Sequence, residues 1–100
     1  MNVDFSKTFI KTVNKLSGKQ KRSVANVIEE VRKAQSVDDI TDCIRLVNYR
    51  TIYRIRIGDY RAFFKLHVEV VGNTVLFHYL VSRGQAYDKK MEVSLKDIDD

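Results

Sequence analysis

Between Arg45 and Leu66 the chain carries Arg45, Arg50, Arg54, Arg56, Arg61 and Lys65 against one acidic residue, Asp59. Guanidinium groups do not release a proton near neutrality, but they grip phosphate and carboxylate oxygens through a rigid fork of N–H donors. Their arrangement here follows from YRIRIGDYR, Tyr53 to Arg61, in which Gly58-Asp59 separates two alternating runs. Glycine at the first loop position suits a two-residue type II′ turn. Such a turn sets Ile57 opposite Tyr60, Arg56 opposite Arg61 and Arg54 opposite Phe63, so three guanidinium groups share one sheet face. Like charges directly opposite each other cost up to roughly 1 kcal/mol. An anion seated between Arg56 and Arg61 would remove that penalty; the simpler alternative is the solvated face of an open antiparallel sheet.

A second turn at Gly72-Asn73, read in the same way, sets Val71 against Thr74 and Arg61 against Gly84. Arg83 then arrives at the same end of the sheet as Arg56 and Arg61, with Tyr87 four residues later at the rim. The same register sets His67 opposite His78, a pairing suited to metal or acid–base work. His67 stands six strand residues, about 20 Å, from Arg61, too far to share one phosphate. Cys43 has neither a CxxC partner nor a nearby histidine and reads as a packed thiol. Lys7, Lys11 and Lys15 recur at i+4 on the outer face of a helix, placed to meet phosphate or an acidic partner, or simply solvent.

The elements that must position these groups are a helical hairpin and a sheet. Phe9, Val13 and Leu16 repeat at helical spacing between a Ser6 cap and a Gly18 stop, predicting a helix over about 6–16. Val24, Val27, Ile28, Val31 and Ala34 do the same between Lys19 and Gln35, and the short Ser17-Gly18-Lys19 connection makes the two helices antiparallel neighbours. Ser36 to Ile40 reads as a capped turn of helix. Period-two patterning then predicts strands over about 50–57, 60–71 and 74–82, with residues 2–5 as an added edge strand. Tyr53, Ile55, Ile57, Tyr60, Ala62, Phe64 and Leu66 form the face that the helices bury, so the arginines point away from them. The expected fold is α+β: an antiparallel helical hairpin packed on one face of a three- to four-stranded, mainly antiparallel sheet. Residues 92–100 carry four acidic residues and one lysine and are expected to form a mobile tail.

One hundred residues, 44% of them hydrophobic, make one folded domain over 1–100 and exclude a disordered chain. The net charge of +5 and pI near 9.4 favour a polyanionic partner. A single cysteine cannot form an internal disulfide, and lysines interrupt every apolar stretch of the N-terminal segment. Neither a signal-peptide core nor a membrane span can be assembled, so the expected setting is the reducing cytoplasm.

The helical hairpin, the YRIRIGDYR stretch and the Arg-x-x-x-Tyr ending from Arg83 to Tyr87 together resemble the RelE/ParE superfamily of bacterial type II toxins, over roughly residues 3–88. The resemblance implies a small α+β fold with working groups on the sheet face opposite the helices. RelE-like members cleave mRNA in the ribosomal A site without metal or other cofactor, and each is neutralised by a cognate antitoxin. ParE-like members poison DNA gyrase instead, and a non-catalytic RNA-binding homologue is a third reading. In the nuclease, a 2′-hydroxyl attacks the adjoining phosphate to leave a 2′,3′-cyclic phosphate. Arg54 and Arg56 match the two basic positions on the second strand of that sheet, Arg61 the arginine after the turn, and Arg83 and Tyr87 the arginine and tyrosine at the end. These five are the implied catalytic residues, Arg61 foremost.

This chain departs from the pattern at two places. RelE-like nucleases can carry lysine on the second strand, where a perturbed amine accepts a proton; both positions are arginine here, which clamps phosphate but is a poor base. Asp88-Lys89-Lys90-Met91 also stands where a phenylalanine usually follows the final tyrosine.

Overall fold

The computed structural model describes residues 1–99. In chain order the elements are β1 (Asn2–Phe5), α1 (Lys7–Asn14), α2 (Gly18–Lys33), a single 3-10 turn (Val37–Asp39), β2 (Cys43–Arg45), β3 (Ile52–Ile57), β4 (Tyr60–His67), β5 (Thr74–Ser82) and α3 (Lys89–Ile98). The strands form one mixed sheet in the order β1-β5-β4-β3-β2. β1 runs parallel to β5 and the other pairings are antiparallel. The sheet is therefore five-stranded, broader than the three or four strands expected. The added strand, β2, is only three residues long at an edge, too short to carry a readable alternation.

Both hairpin helices begin where their caps put them. The Ser6 hydroxyl accepts the Phe9 N–H at 3.0 Å, and Ser17 and Gln20 form a reciprocal capping box at the start of α2. The apolar faces of the two helices bury Phe9, Val24 and Val31 against Ile55, Ile57, Ala62, Phe64, Val75, Phe77 and Leu80. Aromatic rings carry much of this contact: Phe9 lies 5.1 Å from Phe77, Phe64 meets Phe77 edge-on at 5.7 Å, and Tyr53 stacks on Phe64 at 5.2 Å.

The β3–β4 register is the one expected, with Arg56 opposite Arg61 and Arg54 opposite Phe63. Gly58 takes φ +56 and Asp59 stays out of the left-handed region, as a type II′ turn requires. The next hairpin differs. β4 ends at His67, opposite Thr74, and residues 68–73 form a six-residue loop in place of a two-residue turn. Strands prolonged to Val71 would run past the helices that cover the sheet, where Val70 is fully exposed and extra pairing would bury nothing. The Glu69 N–H bonds the Asn73 side chain at 3.3 Å, closing the loop. A bulge between Phe63 and Phe64 shifts the register once more, so Arg61 faces Val81 and not Gly84.

The second sheet face is not open along its length. Ile52 and Phe63, both fully buried, join Ala86 and Leu95 in a separate core, flanked by Leu46, Tyr49, Tyr79, Val81, Met91 and Ile98. The lid on that core is α3, which corrects the expected mobile tail over 92–100; Asp100 alone lies outside the described residues. Met91, Leu95 and Ile98 recur at i, i+4 and i+7, an apolar stripe that the acidic composition conceals. Asp88 caps the helix through the Met91 N–H at 2.8 Å. At its other end the Asp99 carboxylate accepts the Arg50 N–H at 2.9 Å, the Thr51 N–H at 2.8 Å and the Thr51 hydroxyl at 2.6 Å, tying α3 to the start of β3.

Burial alone would raise the Asp99 carboxyl, but hydrogen bonds from the Thr51 hydroxyl and from the Arg50 and Thr51 N–H groups, with the Lys96 charge, hold it below its ordinary value. A group depressed in the folded state contributes stability above its unfolded pKa, about 3.9, and loses it as pH falls through the folded value. Asp99→Asn should therefore cost about 1–2 kcal/mol at pH 7. The gap to wild type, read as urea midpoints, should close as the pH drops below about 4. Equal midpoints at pH 7 would mean that the clamp contributes nothing.

Candidate functional site

The pairing Ile44–Arg54–Phe63 across β2, β3 and β4 places Arg54 beside the second core, on the face away from the helical hairpin. Its stem is half-buried there. Its Nη1 donates to the Tyr87 hydroxyl at 3.1 Å, and its Nε is buried without a hydrogen-bond partner. A buried N–H left unpaired costs about 1–3 kcal/mol, a cost that an anionic oxygen at this point would remove. Arg56, two residues on along the same face, is exposed. The Arg83 N–H bonds the Asp59 carbonyl at 2.8 Å, which fixes Arg83 at the β3–β4 turn beside the Arg56–Arg61 pair although the register that predicted it there was wrong. Arg54 and Tyr87 thus meet, Arg56 lies two residues on along the same strand face, and the Arg83 backbone is held at the turn.

Arg61 departs from its expected exposure. It is 7% exposed, and its Nη1 donates to the Gly58 carbonyl at 2.8 Å and the Tyr60 carbonyl at 2.9 Å. Its guanidinium therefore folds back to brace the turn. Turn carbonyls that point inward take up the donors of a charge too costly to bury alone.

The structure separates the other candidates. His67 is exposed and opposite Thr74, whereas His78 sits in the β5 bulge, its carbonyl accepting the Ser6 hydroxyl at 2.7 Å. Burial, then the Lys65 charge, push the His78 imidazole toward its neutral form. Among the described residues no group of three His, Cys, Asp or Glu side chains gathers as a metal would need. Burial raises the Cys43 thiol to about 11 against the opposing charge of Arg54, so it stays protonated and poorly nucleophilic. Lys7, Lys11 and Lys15 are exposed along α1. No described helix is long and apolar enough to cross a membrane.

One feature next to the cluster has no counterpart in the sequence reading. The β2–β3 loop, the Ala86–Asp88 segment and α3 enclose a cavity of about 330 Å³. Lys96 sits 4.0 Å over the Tyr49 ring there, and burial, then the Glu92 and Asp99 charges, push the Tyr49 phenol up. The Met91/Leu95/Ile98 stripe was the available signal, since a helix at that place must enclose space against the loop.

No protein-family model matches the chain. Among curated proteins it is 34% identical over 89 residues, covering 88% of the chain and 97% of the relative, to Toxin RelE3 of Methanocaldococcus jannaschii. Among solved structures it resembles the RelB-RelE antitoxin-toxin complex of Methanococcus jannaschii, at 28% identity and TM-score 0.68 over 85% of this chain and 95% of that one. The archaeal RelE-RelB complex of Pyrococcus horikoshii follows at 23% identity and TM-score 0.67, over 85% and 97% of the two chains. The RelBE2 complex of Mycobacterium tuberculosis shares the fold at 22% identity and TM-score 0.56, over 82% and 96%. Two of the three source organisms are archaeal, so the likeness does not mark the chain as bacterial.

The different environments of the two paired arginines predict different costs. Arg61→Ala strands two turn carbonyls and should destabilise the protein by about 1–3 kcal/mol. Arg56→Ala, at an exposed position, should stay within about 0.5 kcal/mol and relieve repulsion across the pair. Thermal melts of the two variants decide this, and equal losses would contradict the brace.

Proposed function

Since the chain belongs to the RelE family of toxins, we propose that it is the toxin of a toxin–antitoxin pair and a metal-independent endoribonuclease that cuts mRNA on the ribosome. The observation that carries this reading is Arg54: a guanidinium with one N–H buried and unpartnered, joined to a tyrosine hydroxyl, on the strand face it shares with Arg56. Such a face suits a phosphodiester, whose transition state gathers negative charge on its non-bridging oxygens. In the reaction the 2′-hydroxyl oxygen bonds to phosphorus and the P–O5′ bond breaks. The products are a 2′,3′-cyclic phosphate and a 5′-hydroxyl.

Arg54 and Arg56 clamp the phosphate from β3, Arg83 closes on it from the end of β5, and Tyr87, a phenol that can donate as well as accept, protonates the departing O5′. Arg61 acts through the turn, holding Arg56 and Arg83 in place and adding its charge to the field. None of the arginines takes the 2′-hydroxyl proton, so it leaves through solvent or a phosphate oxygen, and the reaction depends on charge stabilisation more than on a base. The neutralising partner is an antitoxin, as RelB is in the related complex, and an acidic segment on it would complement the arginines. The cytoplasm, where translating ribosomes are, is the proposed place of action.

Induced expression without antitoxin should arrest growth and create new 5′ ends in translated mRNAs, read by primer extension. Arg54→Ala should lower cleavage on purified, mRNA-loaded ribosomes by about 10²–10³-fold, the usual loss for one preorganised donor, with the melting temperature preserved. Arrest without new 5′ ends, accompanied by relaxed or cleaved plasmid DNA, would overturn the nuclease in favour of a gyrase poison.

A further inference from the structure

Tyr87 belongs to two sites at once. Its hydroxyl accepts from Arg54 at 3.1 Å, while the residue also lines the cavity of about 330 Å³ between the β2–β3 loop and α3. Ala86 and Leu95, each 2% exposed, give that cavity an apolar floor. Val47 and Tyr87, 82% and 61% exposed, supply two flat or apolar surfaces at its mouth. The charged groups on its wall are mostly engaged: Lys96 donates to the Asn48 carbonyl and covers the Tyr49 ring, and the Asp88 carboxylate caps α3. Glu92, exposed and without an ion pair among the described residues, is left as the acceptor.

A carboxylate on the wall repels a phosphate, so this cavity is not a continuation of the arginine cluster. It suits an uncharged planar group with N–H donors on its edge, attached to something the arginines hold. Unstacked RNA bases fit that description: they stack on aromatic and apolar side chains and are read along their hydrogen-bonding edges. A carboxylate favours adenine, cytosine and guanine, whose exocyclic amino groups donate to it, over uracil, whose single ring N3–H is flanked by two carbonyl oxygens that repel it. We propose that the cavity seats the nucleobase flanking the phosphate bound by Arg54, with Glu92 accepting from that base's amino group and so setting which base is tolerated there. The proposal rests on the RNA reading above and assigns Glu92, on α3, as a specificity-determining residue.

The test uses ribosome-bound mRNAs that differ only in the base beside the cut, and in parallel the same sequences as free RNA with a 2′-deoxy substitution that blocks attack, read by fluorescence anisotropy. Wild type should cut and bind amino-bearing bases about tenfold better than uracil, the scale of one good base-edge contact. Glu92→Gln, whose amide donates as readily as it accepts, should bring that ratio within about threefold in both assays, with an unchanged melting temperature. A base ranking that is the same in wild type and Glu92→Gln overturns the pocket while leaving the nuclease standing. Wild-type protein that cuts no RNA overturns the nuclease, and the binding arm then decides the pocket by itself: no base preference in wild type ends it.

Discussion

A two-residue turn sets the register of β3 against β4, and everything at the arginine cluster depends on it. Alternation puts Ile55 and Ile57 under the helices and Arg54 and Arg56 on the other face. A slip of one residue would carry the arginines into an aromatic core and the isoleucines into the cluster, at a cost of several kcal/mol for each charge buried unpaired. Gly58, at φ +56, permits the tight turn at no steric cost, and the buried guanidinium of Arg61 ties its carbonyls. The residue that looked most like a phosphate ligand is therefore also a structural brace, and the turn it braces carries Arg83 on its other side.

The sheet is sandwiched unevenly. The helical hairpin covers one face over most of its length, whereas α3 covers only part of the other. The arginines lie where that second cover stops. At such a boundary a side chain can lay its apolar stem against packed groups and keep its charged end partly accessible, which is the situation of Arg54. Desolvation strengthens its pull on an anion, and the unpartnered Nε shows that the protein alone does not satisfy it.

Helix α3 thus does two things with one apolar stripe. Met91, Leu95 and Ile98 close the second core, and the space left between the helix and the β2–β3 loop becomes a cavity sharing Tyr87 with the cluster. The Asp99 clamp joins the far end of the helix to Arg50 and Thr51, at the start of the strand that carries Arg54 and Arg56. Stability of the helix and alignment of the strand are coupled through that contact.

Local pattern by itself determined the two hairpin helices and the β3–β4 register, which puts Arg54 and Arg56 on one face, because caps, period and a two-residue turn act over a few residues and leave their mark in neighbouring positions. Three things only the tertiary structure decided. The second hairpin stops at His67 because pairing beyond the covered sheet buries nothing, which separates His67 from His78. Arg61 is buried because inward-facing turn carbonyls take its donors, and no spacing rule reports where carbonyls point. Residues 89–98 form a helix because the sheet's second face exposes Ile52 and Phe63 to them. Without that surface their three apolar side chains would have nothing to cover, and a ten-residue helix is too short to persist alone.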